Sequence, residues 1–188
     1  MKVLRIVLLV LLLIVVVIAV GGFLIYTDTT QGPLPVTNGV LSVAGLQSQV
    51  EVLRDDWGIP HIYANNLHDL FFAQGFTQAQ DRWWQMEFAR HVGSGTIQEL
   101  TGKTDSVMGT DLFIRTAGWR EAAERDVELL DGSELAVLQA FAAGVNAYIT
   151  SRSQDDLALE YRLLGVTGVT ITIAPWTPAD SLVWGKVM

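Results

Sequence analysis

Cysteine is absent from the 188-residue chain, so an exported form of it gains nothing from disulfides and must be stabilised by packing. Histidine is also scarce, and the three histidines, His61, His68 and His91, lack a recognised metal-binding spacing. Basic residues are few: 12 Lys and Arg stand against 20 Asp and Glu, a formal net charge of -8. Because a surface of this sign repels phosphate, we expect no nucleic acid partner.

One long apolar run is present, at the N-terminus, where Ile6 to Ile25 carry no charge. About 20 helical residues cover the roughly 30 Å of a bilayer core. Lys2 and Arg5 precede the run, so the positive-inside rule keeps the N-terminus in the cytoplasm and exports the rest. We therefore expect residues 1–26 to anchor the chain in an inner membrane, with the domain in the periplasm or outside the cell.

The same run allows a second interpretation, a signal segment. Ala19, Val20 and Gly21 form a small-residue cleavage site, and cleavage there would leave a secreted domain. The run is longer than the usual apolar region of a signal, about 7–15 residues, which favours the anchor. The polar residues 27–34 that follow predict a short tether. Residues 35–188 are enough for one domain with its own core.

A β-hairpin is predicted near the start of this domain. Val50 to Arg54 and Ile59 to Tyr63 alternate apolar and polar residues, as half-buried strands do. Asp55 to Gly58 lie between them and contain residue types that favour turns. Pro60 favours extended backbone at the residue before it. A hairpin with its turn at these four residues is the simplest interpretation.

A long helix is predicted after the hairpin, from about His68. One face is formed by residues spaced three and four apart: Phe72, Phe76, Ala79, Trp83, Met86 and Arg90. Gly93 and Gly95 predict its end. Gly75 lies inside the helix at a cost of about 1 kcal/mol relative to Ala, which predicts close packing against a neighbour.

The remaining elements are predicted from periodicity and capping residues. Residues 39–43 resemble a strand, residues 111–130 and 133–152 resemble helices, and residues 166–173 alternate like a short strand. Ser133 fits the N-cap of the second of these helices. At the end of the chain, Thr177 fits an N-cap, with Pro178 in the first helical position and Asp180 in the first turn.

A set of ordered motifs runs along the chain: Arg54-Asp55, Gly58, Pro60-His61-Ile62, Ala64, Ala79-Gln80-Asp81-Arg82, Gln85-Met86, Arg90 and Pro175 to Asp180. These motifs resemble the opening of the penicillin acylase family, and the resemblance spans about Leu34 to the last residue. Further segments at Glu99–Gly102 and Tyr161–Gly165 fit the smaller, N-terminal portion of that family. The motif positions, to which we assign structural roles, are Arg54, Asp55, Gly58, Pro60, His61, Asp81, Arg82, Gln85, Met86, Trp176 and Asp180.

The resemblance implies an α+β fold, the mainly helical α-chain portion of an αββα N-terminal-nucleophile hydrolase, with a short N-terminal hairpin. Such an enzyme is made as a precursor that cuts itself into an α chain and a β chain. Its nucleophile is a Ser at the start of the β chain, with the α-amine of that Ser as the base. The substrate would be a small N-acyl amide: a penicillin-like compound, an N-acyl homoserine lactone or a related amide.

The resemblance places the family's nucleophile, acyl-pocket residues and calcium ligands mostly beyond Met188, so we expect the domain to be incomplete at its C-terminus. Calcium is implied for the complete enzyme, but this chain is expected to hold no cofactor or metal. The acidic pairs Asp55-Asp56 and Asp155-Asp156 lack the spaced oxygen ligands of a calcium loop. We expect both pairs to lie in turns or in solvent.

Three glycine–hydroxyl junctions have the residue types of a processed nucleophile: Gly93-Ser94, Gly109-Thr110 and Gly132-Ser133. The first two belong to loops of the family pattern. Ser133 is explained by helix capping, a contribution of about 1 kcal/mol that needs no chemistry. We therefore expect no catalytic residue in this chain.

Other motif residues have structural and functional interpretations. For His61 we expect a structural hydrogen bond. Arg82 could pair with Asp55 or with another carboxylate in the folded core, and so hold the hairpin to the helix. An aromatic group on the long helix is expected to pack in the core, with the alternative that one or two members line an acyl pocket shared with the β chain: Phe76, Trp83, Trp84 and Phe88.

Two functional hypotheses follow from different classes. The first is the α-chain portion of an exported amidase, inactive by itself, with the β-chain portion of the same precursor as its partner. The second is a non-catalytic, membrane-anchored remnant or partner-binding subunit. An open reading frame that continues beyond Met188 to a Gly-Ser-Asn-like junction supports the first, and a stop codon there supports the second.

Overall fold

A computed structural model describes residues 2–169 and 171–188, and in them the chain forms nine helices and two strands. The strands are β1 (Glu51–Arg54) and β2 (Pro60–Tyr63). The helices are α1 (Lys2–Gln31), α2 (Leu67–Ser94), α3 (Ile97–Thr101), α4 (Asp105–Ala117), α5 (Trp119–Leu129), α6 (Gly132–Thr150), α7 (Gln154–Leu157), α8 (Leu159–Val166) and α9 (Pro178–Val187). The predicted mainly helical fold with a small antiparallel hairpin is thus present.

The hairpin has the predicted position and turn. β1 and β2 pair antiparallel, with Glu51 opposite Tyr63 and Arg54 opposite Pro60. Gly58 has a φ of 76°, which favours glycine at this turn position. The prediction of half-buried strands is confirmed for β2, where partly buried and exposed residues alternate. It is wrong for β1, where Glu51, Val52 and Leu53 are all exposed and only Arg54 is partly buried.

Helix α2 has the predicted core-facing side. Its apolar members pack with α6 and with the segment before α9 in one cluster that includes Trp83, Met86, Val145 and Tyr148. Phe76 is partly buried against that cluster. Gly95 caps the C-terminus with a φ of 63°, whereas Gly93 lies inside the last turn. The predicted helix end is therefore correct to within a residue or two.

Two glycines allow α2 and α6 to pack closely. A Cβ on Gly75 would lie 2.1 Å from the carbonyl oxygen of Phe141 on α6, so the predicted close packing at Gly75 is confirmed. The reciprocal contact comes from Gly144, where a Cβ would lie 1.9 Å from the carbonyl oxygen of Phe72 on α2. Backbone lies against backbone at both points, so neither position has room for a side chain.

A buried carboxylate joins the start of α2 to the loop before β1. Asp69 is fully buried and accepts hydrogen bonds from the backbone N–H groups of Gln47 (2.8 Å) and Ser48 (2.9 Å). Burial by itself raises the pKa of Asp69. The hydrogen bonds from Gln47, Ser48, Asn66 and His68 outweigh burial and hold that pKa well below its ordinary value.

The N-cap of α6 is Asp131, and the prediction of Ser133 was wrong. The Asp131 carboxylate accepts from the N–H groups of Ser133 (2.8 Å) and Glu134 (2.9 Å). Glu134 in turn accepts from the N–H of Asp131 at 3.1 Å, which completes a capping box. The reciprocal pair satisfies more backbone donors than Ser133 could. The predicted cap of α9 is confirmed, with Thr177 and Asp180 in another capping box and Pro178 at its start.

Three predicted elements differ from the structure. Residues 39–43 are irregular and Val40 is 98% exposed, because the part of the chain that the structure describes contains no strand that pairs with them. The predicted helix over 111–130 is divided at Gly118, whose φ of 71° ends α4 and begins α5. The predicted strand over 166–173 is absent from its described part: Val166 ends α8, and residues 167–169 and 171–173 are irregular. Thr170 lies outside the described residues.

The apolar run forms α1, which is long and apolar enough to cross a membrane by length and composition. The candidate span is Leu9–Gln31, with a mean hydropathy of 3.1 and none of it buried. Such a helix is equally a candidate signal or anchor. It extends to Gln31, so the first five residues of the predicted tether, 27–31, are helical.

Candidate functional site around helix α2

An ion pair between two motif residues holds the hairpin to α2. Arg54 donates two parallel hydrogen bonds to Asp81, of 2.9 and 2.7 Å, and its side chain is 14% exposed. The same guanidinium donates to the carbonyl of Gly58 at 3.0 Å. The predicted pairing of Arg82 with Asp55 was therefore wrong. Adjacent residues on a helix point about 100° apart, and Asp81 is the one that faces the hairpin.

Asp55 organises the hairpin turn instead. Its carboxylate accepts from the N–H groups of Trp57 and Ile59, both at 2.9 Å. His61 lies 3.2 Å from the other carboxylate oxygen, a contact that fits the structural hydrogen bond expected for it. The Ile59 N–H contributes most to holding the pKa of Asp55 below its ordinary value, against an opposing effect of burial, and His61 and Trp57 add to it.

Arg82 occupies the one non-helical position inside α2, with φ −141° and ψ 26°. Its side chain is exposed and makes no ion pair or side-chain hydrogen bond with the residues that the structure describes. It lines two openings, one on each side of α2. Kinks in long helices have identifiable local causes and are often found at functional positions. This kink lies at Arg82, whose guanidinium has no ion-pair partner in the described residues.

A buried charge network joins α2 to α9 and α5. Arg90 pairs with the fully buried Glu87 one turn before it and donates to the carbonyl of Ala174 at 3.0 Å. Asp180 accepts from Arg120 of α5 at 2.5 Å and lies 4.0 Å from Arg90. A buried charge persists only with such partners, so the network fixes the position of α9 against α2.

Trp176 fixes the segment before α9 by both its backbone and its ring. Its N–H donates to Asn146 of α6 at 2.7 Å, and its carbonyl accepts from the same side chain at 2.9 Å. The Arg90 guanidinium lies 5.8 Å from the ring centre of Trp83 and 5.4 Å from that of Trp176. Both distances are within the range of cation–π attraction.

Sequence reasoning did not identify three of these residues: Glu87, Arg120 and Asn146. Glu87 and Arg90 are three residues apart, a spacing at which side chains on one helix meet, so that pair had a local signal. Arg120 and Asn146 contact residues 60 and 30 positions away. Nothing local in the sequence marks such contacts.

An apolar groove of about 640 Å³ lies between α2 and α9. The two remaining motif residues of α2, Gln85 and Met86, line it. The predicted aromatic group is divided: Trp83 is buried in the core and Phe76 packs against it, whereas two members, Trp84 and Phe88, reach the groove. The other residues that line it are Gln78, Arg82, Ala89, Phe141, Trp176, Asp180, Ser181 and Trp184.

A second opening of about 860 Å³ lies between the hairpin and α2. Five motif residues line it, namely Arg54, Gly58, Pro60, Asp81 and Arg82. It is more polar than the groove, because the Arg54–Asp81 pair forms part of its wall.

None of the three glycine–hydroxyl junctions has the features of a processed nucleophile. Ser94 is the last residue of α2, and the Thr110 hydroxyl donates to the carbonyl of Ser106 inside α4 at 3.1 Å. The Ser133 hydroxyl donates to Asp131 at 2.7 Å. Within residues 2–169 and 171–188, no group of three or more His, Asp or Glu residues is placed to hold a metal ion.

The helical fold with its appended hairpin is similar to that of penicillin acylases. It matches a thermostable penicillin G acylase from Alcaligenes faecalis with a TM-score of 0.64 and 29% sequence identity, over 74% of this chain and 72% of that chain. The sequence model described as penicillin amidase matches residues 49–188. The chain therefore belongs to the penicillin amidase family, whose members hydrolyse N-acyl amides.

Curated relatives agree with this assignment. The chain is 38% identical over 155 residues to penicillin acylase 2 proenzyme of Pseudomonas sp. (strain SE83), covering 82% of this chain and 19% of that protein. It is 35% identical over 133 residues to penicillin G acylase of Escherichia coli, covering 71% and 15%. It is 32% identical over 148 residues to acyl-homoserine lactone acylase QuiP of Pseudomonas aeruginosa, covering 79% and 16%. The chain spans less than a fifth of the length of these relatives.

Proposed function

We propose that this chain is the α-chain portion of an N-acyl amide hydrolase, with a penicillin-like compound, an N-acyl homoserine lactone or a related amide as substrate. Family membership supports the reaction class. The observation that supports a scaffold role is that the charged motif residues Arg54, Asp55, Asp81 and Asp180 are all held by contacts within the fold. Arg54 pairs with Asp81, Asp55 binds its own turn, and Asp180 pairs with Arg120. These contacts hold the hairpin against α2 and α9 against α5, which is a structural role.

The nucleophile in this proposal is an N-terminal Ser of a β-chain portion outside these residues. The Ser hydroxyl attacks the amide carbonyl and its own α-amine accepts the proton. That proton is then passed to the departing amine as the C–N bond breaks, and water hydrolyses the acyl-Ser ester to the free acid and regenerates Ser. An α-amine has an ordinary pKa of about 8, close enough to neutrality to act as a base without histidine. Backbone and Asn donors would stabilise the oxyanion.

The apolar groove is our candidate for this chain's share of the acyl pocket. Its volume of about 640 Å³ lies within the range of small-molecule sites, roughly 300–1,000 Å³. Seven of its twelve lining residues are apolar, five of them aromatic, and the other five are polar or charged, among them Ser181. This composition suits an apolar acyl chain or an aromatic ring.

Arg82 is our candidate contact with the β-chain portion. An exposed guanidinium without a partner, held at a kink between two openings, is suited to a carboxylate that arrives from outside the described residues. The uncovered hairpin lies beside the same opening, so both features would be covered together.

We further propose that α1 anchors the enzyme in the inner membrane, with the domain in the periplasm or outside the cell. The helix length, its apolar surface and the preceding Lys2 and Arg5 support this orientation. Secretion after signal cleavage is the alternative. Mass spectrometry of the exported protein separates the two, since cleavage would remove the residues before about Gly21.

The reaction is tested with a precursor that continues beyond Met188. We expect mass spectrometry to detect cleavage to a chain that begins with Ser, and the product to hydrolyse a chromogenic phenylacetyl amide or an N-acyl homoserine lactone. Residues 1–188 alone are the matched control and should be inactive. Hydrolysis by residues 1–188 would disprove the proposal that the nucleophile lies elsewhere.

The role of Arg82 is tested by Arg82→Leu in the same precursor. Loss of the interchain ion pair should block maturation rather than merely raise KM, because an unpaired buried carboxylate costs several kcal/mol. Arg125→Leu is the control, since Arg125 is also an exposed arginine without an ion pair in the described residues. Gel analysis of precursor processing is the measurement. Normal processing and normal stability of Arg82→Leu would contradict the assignment.

A further inference from the structure

The junction between α1 and the domain is helical rather than flexible. Leu24 and Ile25, at the end of the apolar run, are 60% and 69% exposed, whereas Thr29 and Thr30 are partly buried. The Thr30 hydroxyl donates to the carbonyl of Tyr26 at 2.8 Å, a bond within the helix. The span therefore continues without a break into the surface of the domain.

Two arginines of the domain contact the last turn of α1 and the residue that follows it. Arg152, just after α6, donates to the carbonyl of Gly32 at 2.8 Å. Arg162, on α8, lies 3.5 Å from the hydroxyl of Thr29 and is itself held by the carbonyl of Asp155 at 3.0 Å. Two separate elements thus fix the direction in which α1 leaves the domain.

This arrangement places α8 close to the edge of the bilayer. Ile25 is the last residue of the apolar run, and Thr29, which Arg162 contacts, follows it by four residues. At 1.5 Å per helical residue, the two positions are about 6 Å apart along the axis of α1. If α1 spans the membrane to Ile25, α8 lies about one helical turn above the hydrocarbon core.

The exposed side of α8 is apolar at this level. Leu163 is 58% exposed and Val166 is 89% exposed. Val166 follows Arg162 by four residues, so it lies on the helix face that contacts α1. Leu34, just beyond the Gly32 contact, is also 58% exposed. Val166 and Leu34 thus lie four and two residues along the chain from Arg162 and Gly32, which make the junction contacts.

We propose that the face of α8 formed by Leu163 and Val166, together with Leu34, is a membrane-contacting surface whose partner is the lipid bilayer that α1 crosses. This inference rests on the proposed membrane anchoring. Apolar side chains at this depth enter the boundary between headgroups and acyl chains, as those of interfacial helices do. Asp155, Asp156 and Glu160 lie in the same region, so apolar contact and tethering hold this face, and attraction to anionic lipid does not.

The absence of cysteine makes the test direct, since one introduced thiol gives one label. Leu163→Cys and Val166→Cys, each carrying a polarity-sensitive fluorophore, are placed in nanodiscs of phosphatidylcholine that contain a quencher-labelled lipid. Leu129→Cys on α5 is the matched control, an apolar residue that is 82% exposed. Val15→Cys, within the apolar run of α1, reports whether α1 lies in the bilayer.

We expect quenching at positions 163 and 166 to exceed that at 129 severalfold, with strong quenching at 15. Quenching at 15 without a difference between 166 and 129 would overturn the proposed surface while leaving the anchor intact. Absence of quenching at 15 would overturn the anchor and the surface together. No hydrolysis is measured, so neither result depends on the proposed enzymatic function.

A second variant tests the rigid junction. Insertion of about six Gly and Ser residues after Tyr26 replaces the continuous helix with a flexible chain. We expect quenching at position 166 to fall severalfold while quenching at position 15 is unchanged. Undiminished quenching at 166 would show that the junction does not orient the domain.

Discussion

Replacing Gly75 by Ala tests the closest approach between two helices of the domain. Gly75 on α2 and Gly144 on α6 face each other, and a Cβ at either position would meet a carbonyl oxygen of the opposite helix at 2.1 or 1.9 Å. Ordinary contact begins at 3.4 Å, so α2 and α6 would have to separate by more than about 1 Å at this point. Neither atom belongs to a flexible side chain that could rotate away.

The magnitude follows from two opposing effects. Ala stabilises a helix interior by about 1 kcal/mol relative to Gly. Overpacking in a filled core costs about 1–3 kcal/mol, and more where the backbone must move. A gap of 0.5–1 Å also forfeits roughly a quarter to a half of each dispersion contact that it opens. We therefore expect Gly75→Ala to lower the free energy of unfolding by about 2 kcal/mol or more.

Urea unfolding in detergent micelles is the assay, monitored by the summed fluorescence of the six tryptophans, of which Trp83 and Trp176 are buried and should respond to unfolding. Gly109→Ala is the matched control, because Gly109 lies inside α4 with nothing within 4 Å of an added Cβ. It should stabilise the chain by about 1 kcal/mol. The two substitutions are chemically identical and are expected to have opposite signs.

The double variant Gly75→Ala/Gly144→Ala sharpens the test. Once the helices have separated for one methyl group, the second should cost less, so the two effects should be less than additive. Equal stability of Gly75→Ala and Gly109→Ala would refute the reasoning about helix separation. Full additivity would show that the two glycines do not share one contact.

Two further predictions concern buried polar groups. Tyr161→Phe removes the acceptor of the 2.9 Å bond from the Trp83 indole N–H and should cost about 1–2 kcal/mol in urea unfolding. Tyr148→Phe should be neutral or stabilising, because the Tyr148 hydroxyl is buried without a hydrogen-bond partner in the described residues; a loss equal to that of Tyr161→Phe would refute this distinction. For Asp69, the pKa lies below its ordinary value of 3.8, so its stabilisation is present above that pH and lost as pH falls further. Between about pH 5 and pH 2.5 the parent should therefore lose more stability than Asp69→Asn, and equal losses would contradict the pKa direction.

The hairpin and the capped helices were predictable because their causes are local. Asp55 and Gly58 lie within four residues of each other and build one turn from their own backbone. The N-terminus of α9 is likewise determined by neighbouring residues, namely Thr177 and Asp180 in the capping box and Pro178 at the first helical position. Ser133 failed as a cap for a local reason too, since Asp131 offers a better acceptor two residues earlier.

The candidate site was less predictable because its contacts are distant along the chain. Both Asp81 and Arg82 belong to the motif. Only the rotation of α2 about its own axis decides that Asp81, and not Arg82, faces Arg54, which lies 27 residues earlier in the sequence. The non-helical backbone at Arg82 changes the directions in which the residues after it point, and the spacing of apolar residues in the sequence does not reveal this change. Residues 39–43 were wrongly predicted as a strand for a similar reason. A strand forms only when a neighbouring strand pairs with it, and the residue pattern of 39–43 does not show whether such a neighbour exists.

The sequence by itself determined the family, the hairpin, the long helix and the apolar run at the N-terminus, because short-range residue types and their spacing carry those features. Tertiary structure alone decided that Gly144 of α6 packs closely against α2 near Gly75, that Arg120 forms an ion pair with Asp180, and that Arg162 contacts Thr29 near the end of α1. Such contacts depend on the relative placement of helices, which arises when distant apolar faces are buried together.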